Sequence, residues 1–222
     1  MRLQISVPKA GTRVFGLMTN SQLEPLPLKL GARRPLELFP DLEQISISMM
    51  GLQADGHYRA HLPYHPEIEN LVESFEVVTL ILRDPRDIIV SMAYYIGTTH
   101  TSAFNFQVSN KKRLSDLALS ERFDFLIEQM PVTFRLFDGW REMAGIELFY
   151  YEDYKLHPLD VFSRLSALGF GSAKEIMERS FHKDYGFRVG TIENWKKEFN
   201  AAQKTRALEN FGNIINAWRR RK

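Results

Sequence analysis

Leu80-Ile81-Leu82-Arg83-Asp84-Pro85-Arg86-Asp87-Ile88-Ile89-Val90-Ser91 is the stretch whose reading decides the fold. Val77 to Leu82 are mostly β-branched or aliphatic, the composition of a strand covered on both faces. A charged turn follows, then a helix. Asp84 is placed to cap that helix, Pro85 suits its first turn, and Asp87 sits at the capping-box distance. An arginine at a strand end and a serine two helical turns later can face one anion. Phosphate fits such a place, because helix starts present N–H groups and a positive dipole end.

Four other segments extend this reading. Ser6-Val7-Pro8-Lys9-Ala10-Gly11-Thr12 follows a short apolar strand. Arg59-Ala60-His61-Leu62-Pro63 ends a second strand, and Tyr150-Tyr151-Glu152-Asp153-Tyr154-Lys155 ends another after Ile146-Glu147-Leu148-Phe149. Phe187-Arg188-Val189-Gly190-Thr191-Ile192-Glu193-Asn194-Trp195-Lys196 precedes the C-terminal helix. In the loop after the first strand, backbone N–H groups can converge on an anion while Lys9 supplies full charge. The nucleotide-triphosphate loop has the form G-x-x-x-x-G-K-[ST]. Here the lysine precedes the glycine and the first glycine of that pattern is missing, so the loop is a poor triphosphate site.

Around these segments the periodicity predicts strand Leu3–Val7, helix Thr12–Thr19 and an irregular excursion over Asn20–Arg34. It predicts strand material at Leu42–Met50 and His57–His61, and helices at Pro66–Ser74 and Pro85–Tyr95. Amphipathic helices follow over Leu117–Gln129 and Val132–Ala144, then strand Glu147–Tyr151. Helices at Pro158–Leu168, Ala173–Ser180 and about Ala201–Arg219 complete the chain. Gly97–Arg113 is polar and without periodicity, a candidate movable cover. Alternating strands and helices imply one α/β domain over residues 1–222, with a mostly parallel sheet flanked by helices. In such sheets ligands bind beyond the carboxyl ends of the strands, where these motifs fall.

Composition narrows the chemistry. The 222 residues carry a formal net charge of +2, so an anion site must come from local placement of Lys and Arg. No repeated basic–aromatic pattern indicates a nucleic-acid track. The absence of cysteine excludes disulfides, thiolate catalysis and cysteine-bound metals, and agrees with a reducing cytoplasm. No apolar run reaches membrane-spanning length, and the N-terminus lacks the blocks of a signal peptide.

Taken in order, the five segments resemble the PAPS-dependent sulfotransferases of the cytosolic and Golgi type. Those enzymes carry a P-K-x-G-T loop, a K-x-H-L-P strand end, an R-x-P-x-D-x-x-V-S segment, a Y-E-D turn and an R-K-G-x-x-G-D-W-K loop. The resemblance implies a P-loop-NTPase-like sulfotransferase fold that binds PAPS and releases PAP. It implies that Lys9, Ala10, Gly11, Thr12 and Arg13 cradle the 5′-phosphosulfate, with Lys9 on the leaving oxygen and Arg59, where the family has lysine, sharing that role. His61 becomes the general base toward an acceptor hydroxyl, with His57 and His65 its nearest competitors. Arg83, Ser91, Arg188 and the backbone at Gly190 become the 3′-phosphate site, Ser91 also restraining Lys9. Tyr151 and Phe181 match adenine contacts. No metal is expected, and the acceptor is a small molecule, glycan or natural product.

The pattern also departs from the family. Thr12-Arg13-Val14 stands where T-T-W places a tryptophan on adenine, a stacking contact that contributes ~1–3 kcal/mol. Val189, Glu193 and Asn194 replace a lysine, a glycine and an aspartate, and Glu193 must point away from any phosphate. The His182–Phe187 connection is short, which implies an open acceptor cleft. Lys196–Thr205 does not match the family's dimer motif. Two other readings compete with the sulfotransferase: a nucleotide-dependent phosphotransferase of related fold, and a PAP- or nucleotide-binding protein without turnover. The missing G-K-[ST] signature argues against the first, and retention of Lys9, His61, Arg83 and Ser91 against the second.

Overall fold

Leu3, Ile5, Ala60, Leu80, Ile81 and Leu82 are all buried, as strands covered on both faces require, and they build a parallel sheet. The computed structural model describes residues 1–23, 28–30, 38–98, 107–109, 112–181 and 190–219. In chain order the strands are β1 (Arg2–Ser6), β2 (Gln22–Leu23), β3 (Leu28–Leu30), β4 (Leu38–Pro40) and β5 (His57–Ala60). They continue with β6 (Val77–Leu82), β7 (Gln107–Ser109), β8 (Lys112–Arg113) and β9 (Ile146–Tyr150). The central sheet has the order β2-β5-β1-β6-β9, and every pairing in it is parallel. β1 is therefore the middle strand, with β5 and β6 on either side. Its carboxyl end, Ser6, leads straight into the first loop.

The helices are α1 (Thr12–Thr19), α2 (Leu42–Met50), α3 (Pro66–Val72), α4 (Pro85–Thr98) and α5 (Leu119–Asp138). Then come α6 (Tyr151–Leu156), α7 (Pro158–Ala167), α8 (Ala173–Ser180), α9 (Trp195–Glu198) and α10 (Ala201–Arg219). The chain divides into two compact units. The first comprises Met1–Lys29, Phe39–Arg83 and Leu136–Ile192, and the second Leu30–Leu38, Asp84–Arg135 and Glu193–Lys222. The first holds the central sheet, covered on one face by α1, α7 and α8 through Phe15, Met18, Ile81, Phe149, Phe162, Leu165 and Ile176. Burying each such side chain contributes about 1.5–3 kcal/mol, so this layer sets the height of the loop that opens α1. In the second unit Phe134 meets Phe211 and Trp218 edge-on, and Gln203 donates to the Ser120 carbonyl and to Asp124. Among the described residues no helix is long and apolar enough to cross a membrane.

Several sequence expectations are corrected. Leu42–Met50 is a helix rather than a strand. The alternation Ile45-Ser46-Ile47-Ser48 looks like period two, yet only Ile45 is buried while Ile47 is 52% exposed. One buried position is met as well by a helix, and the Ile45 N–H starts it by donating to the Asp41 carbonyl. Asn20–Arg34 is not wholly irregular, since β2 adds to the sheet edge beside β5. The two helices expected either side of Pro131 are one, α5, followed by a single 3-10 turn at Gly139–Arg141. Phe134 and Phe137 are both fully buried, and continuing the helix past proline is what places them inside. Within Gly97–Arg113, β7 and β8 pair antiparallel; residues 99–106 and 110–111 lie outside the described ones.

Candidate active site

The first loop is built by backbone strain held in place by packing. Lys9 adopts φ 70 and Gly11 φ 100, the left-handed region that costs a non-glycine residue about 1–3 kcal/mol. Gly11 has a second requirement: a Cβ there would stand 2.5 Å from the Tyr151 ring. The Ala10 N–H closes the turn onto the Val7 carbonyl at 3.0 Å. No side chain caps α1, so the N–H groups of its first turn, from Thr12 and Arg13 onward, face an anion position. Thr12 itself is tied back, its hydroxyl 2.8 Å from that of Ser6. Burial lowers the Lys9 ammonium to a pKa of about 8, and the positive charges of Arg13 and Arg83 add to the shift. A cation so placed gains when an anion arrives beside it.

His61 leaves β5 one residue after the strand ends. Its Nδ1 lies 2.8 Å from the Ser6 carbonyl, an acceptor, so Nδ1 carries the proton and Nε2 the lone pair. Burial pushes the imidazole below its usual pKa of 6.5; Lys9 and Arg59 act in the same direction, while the Ser6 bond opposes them. The ring is thus neutral near pH 7 in the tautomer a base working through Nε2 needs. The competitors are otherwise engaged. His57 points Nδ1 at the Thr19 carbonyl at 3.1 Å and Nε2 at the Arg2 guanidinium at 2.8 Å. His65 caps α3, its Nδ1 accepting from the Glu67 N–H.

Arg83 stands one residue past β6 and is 8% exposed. Its guanidinium donates to the Lys9 carbonyl at 3.2 Å and to the Thr191 carbonyl at 3.0 Å, and lies 4.5 Å from the centroid of the Tyr151 ring. Tyr151, 3% exposed, donates its phenol O–H to the Gly190 carbonyl at 3.0 Å. Gly190 has φ 57, and a Cβ on it would approach that phenol oxygen to 2.9 Å. Arg83 and Tyr151 therefore bridge the first loop and the segment at Gly190–Thr191.

The structure brings together Lys9, Gly11, Thr12, His61, Arg83, Tyr151 and Gly190. Arg59 shares a face of β5 with His57, but its guanidinium lies across α1: a Cβ at Gly16 would meet its Nη1 at 1.7 Å. It stands about one helical turn in from Thr12. Ser91 is half-buried two turns into α4, in the second unit. Phe181 ends α8 and is 70% exposed. Arg188 and the His182–Phe187 connection lie outside the described residues. Among the described residues no cluster of three or more His, Asp or Glu side chains could hold a metal ion.

Other residues escaped the sequence reading. Asp84 caps α4 as expected, accepting the Arg86 N–H at 2.9 Å. The Asp87 carboxylate also accepts the N–H groups of Glu193 at 2.6 Å and Trp195 at 3.1 Å. Arg86 forks onto Asp84 and lies 3.6 Å over the Trp195 ring. Thus, within the second unit, the charged turn holds the loop before α9. Glu193 turns its carboxylate to Lys196 at 2.7 Å. The pairing of the R-D-P-R-D and W-K segments was a signal in the sequence; the partner atoms were not.

No protein-family model matches the sequence, and comparison with curated proteins gives no match. Solved structures do match. Mouse sulfotransferase SULT7A1 complexed with PAP superposes with a TM-score of 0.66 at 14% identity, over 96% of this chain and 83% of that one. The fold is that of the sulfotransferases. Retinol dehydratase with retinol and PAP gives a TM-score of 0.60 at 14% identity, and its complex with androsterone and PAP gives 0.56 at 13%. Both alignments cover 100% of this chain and 82% of the dehydratase.

Proposed function

We propose that the protein is a PAPS-dependent sulfotransferase that moves a sulfuryl group to an acceptor hydroxyl. The observation that carries this reading is the His61 imidazole, fixed through Nδ1 by the Ser6 carbonyl with Nε2 left as the basic atom, at the end of the strand beside the one that feeds the Lys9 loop. The acceptor oxygen attacks sulfur and gives its proton to Nε2. The bond from sulfur to the bridging phosphate oxygen breaks, and PAP leaves with that electron pair. Lys9 stabilises the charge that grows on the leaving oxygen. Positioning and charge stabilisation supply the acceleration, much as in phosphoryl transfer.

Ala10, Gly11, Thr12 and Arg13 form the 5′ cradle, and Arg83, Ser91, Arg188 and Gly190 the 3′-phosphate site. Tyr151 offers its edge to adenine and Phe181 an open face. The two units act as one domain, a reading supported by neighbours that align over 96–100% of the chain. The acceptor is a small molecule, a glycan or a natural product.

The test has two parts. Calorimetry with PAP, PAPS, ATP and GTP in the absence of metal is expected to give tight PAP and weak ATP binding. Turnover of PAPS is then screened against phenols, steroids, sugars and peptides. PAP binding without turnover of any acceptor favours the binding protein, and metal-dependent ATP binding favours the phosphotransferase.

A further inference from the structure

The mechanism above uses His61 but leaves open what holds the chain that carries it. β5 stops at Ala60, so His61-Leu62-Pro63-Tyr64 has no strand ladder to fix it. Leu62 is fully buried, and a buried carbonyl needs a donor. Pro63 has no N–H to offer.

We infer that Trp140 is a positioning residue for His61, acting through the Leu62 peptide. The indole is fully buried and donates Nε1–H to the Leu62 carbonyl at 2.8 Å, on the Leu62–Pro63 peptide, the second after His61. Two residues on, the Tyr64 N–H donates to the Leu136 carbonyl at 2.7 Å. The Tyr64 ring stands edge-on to the indole, centroids 5.3 Å apart at 88°, and its hydroxyl donates to Glu69 at the far side of the turn. Gly139 makes this contact possible, because a Cβ there would lie 2.2 Å from the Tyr64 ring. Leu136, Gly139 and Trp140 therefore form a clamp from the end of α5 and the 3-10 turn after it. The clamp holds the strand exit at one carbonyl, one amide and one ring, while the Ser6 carbonyl holds the imidazole from the opposite side. Loss of the indole N–H frees the Leu62 peptide to turn, and the direction of Nε2 turns with it.

This inference rests on His61 as the general base, and the experiment separates the two. Trp140→Phe keeps a buried ring and removes the donor. The expected result is a kcat lowered by about 10²-fold, the effect of a small misplacement of a reacting group. PAP affinity should stay within about twofold of wild type, since the nucleotide contacts do not involve Trp140. Long-range proton–nitrogen NMR should show the His61 ring passing from a single Nδ1–H tautomer to a mixture. Gly139→Ala, which displaces Tyr64 and leaves the indole, should move both readouts the same way by less, and it decides the matter if Trp140→Phe does not fold. A folded Trp140→Phe protein with the wild-type tautomer and kcat overturns the inference. Full turnover in His61→Ala would instead remove the general base, while the tautomer measurement would still report whether Trp140 positions the ring.

Discussion

His61 and Arg83 occupy equivalent places. Each stands one residue beyond the end of a strand, on β5 and β6, the two neighbours of central β1. Each is held by a main-chain carbonyl of β1 or of the loop that follows it. The His61 contact uses Nδ1 and leaves the other ring nitrogen for chemistry. The Arg83 contacts use the groups a phosphate would need: Nη1 goes to Lys9, Nη2 to Thr191, and one face to Tyr151. A base can be fully pre-positioned because its second nitrogen is independent of its first. A guanidinium held by two carbonyls has two of its five N–H groups in use and keeps the others for an anion. On the reading proposed above, the catalytic end offers a free ring nitrogen before substrate arrives, whereas the 3′-phosphate end has part of its fork already in use.

The comparison breaks most visibly at His61. Replacement by alanine is expected to lower kcat by ~10²–10⁴-fold, the usual effect of removing a general base. PAP affinity should stay within about twofold, because the contacts of His61 are with Ser6 and not with the nucleotide cradle. Steady-state kinetics paired with PAP titration check both halves. Unchanged turnover would transfer the role to His57 or His65, of which His57 has both ring nitrogens engaged and His65 its Nδ1.

Arg83→Ala comes next. Charge-assisted hydrogen bonds to a phosphate contribute about 1.5–3 kcal/mol, so PAP should weaken by roughly 10–100-fold. Adenosine 5′-phosphosulfate, which lacks the 3′-phosphate, should weaken much less. The thermal midpoint should also fall, because the same side chain braces the first loop and Thr191. Equal weakening of the two ligands would leave Arg83 as a brace only, and the comparison would then be between a base and a strut.

What could be read from the sequence follows the range of the interactions. β1, β6, β9 and α1 were legible because burial on both faces or on one helical stripe is written in adjacent residues. The first loop was legible because Lys9, Gly11 and Thr12 must be close in sequence to share one turn. Asp87 was read only in part: its distance from Asp84 suggests a capping box, and nothing local indicates partners at Glu193 and Trp195. Trp140 falls inside the amphipathic helix expected over Val132–Ala144, and nothing local marks it because its partner carbonyl lies 78 residues away. Leu42–Met50 was misread for the opposite reason, a local pattern that only one buried side chain supports.

A third prediction uses the pH dependence of the first loop. Burial lowers Lys9 to about 8, so its protonated form is the one that PAP favours, and affinity should fall as pH rises through that value. His61 moves the other way: its lowered pKa keeps the basic form present to below pH 6.5, so kcat should be lost only on the acid side of that value. Lys9→Gln is expected to weaken PAP and to abolish the alkaline decline in its affinity, and to move the acid limb of kcat to slightly higher pH because Lys9 is one of the charges that depress His61. An alkaline decline that persists in Lys9→Gln would assign it to another group.

The smallest expected effect concerns Arg59, which packs against α1 as closely as Arg83 packs against Tyr151. Gly16→Ala would put a methyl group where the Arg59 guanidinium lies. The clashing atoms are the end of a flexible side chain, and alanine favours a helix over glycine by about 1 kcal/mol. The thermal midpoint should therefore hold or rise slightly. Moving this cation removes one of the weaker influences that depress His61, so the acid limb of kcat should shift to slightly higher pH with its plateau within about threefold of wild type. If the plateau instead drops by tenfold or more with the fold intact, the guanidinium acts on the transferring group from its place over Gly16. Both strand neighbours of β1 would then carry an arginine at work, and the contrast would narrow to the carbonyls that occupy part of the Arg83 fork.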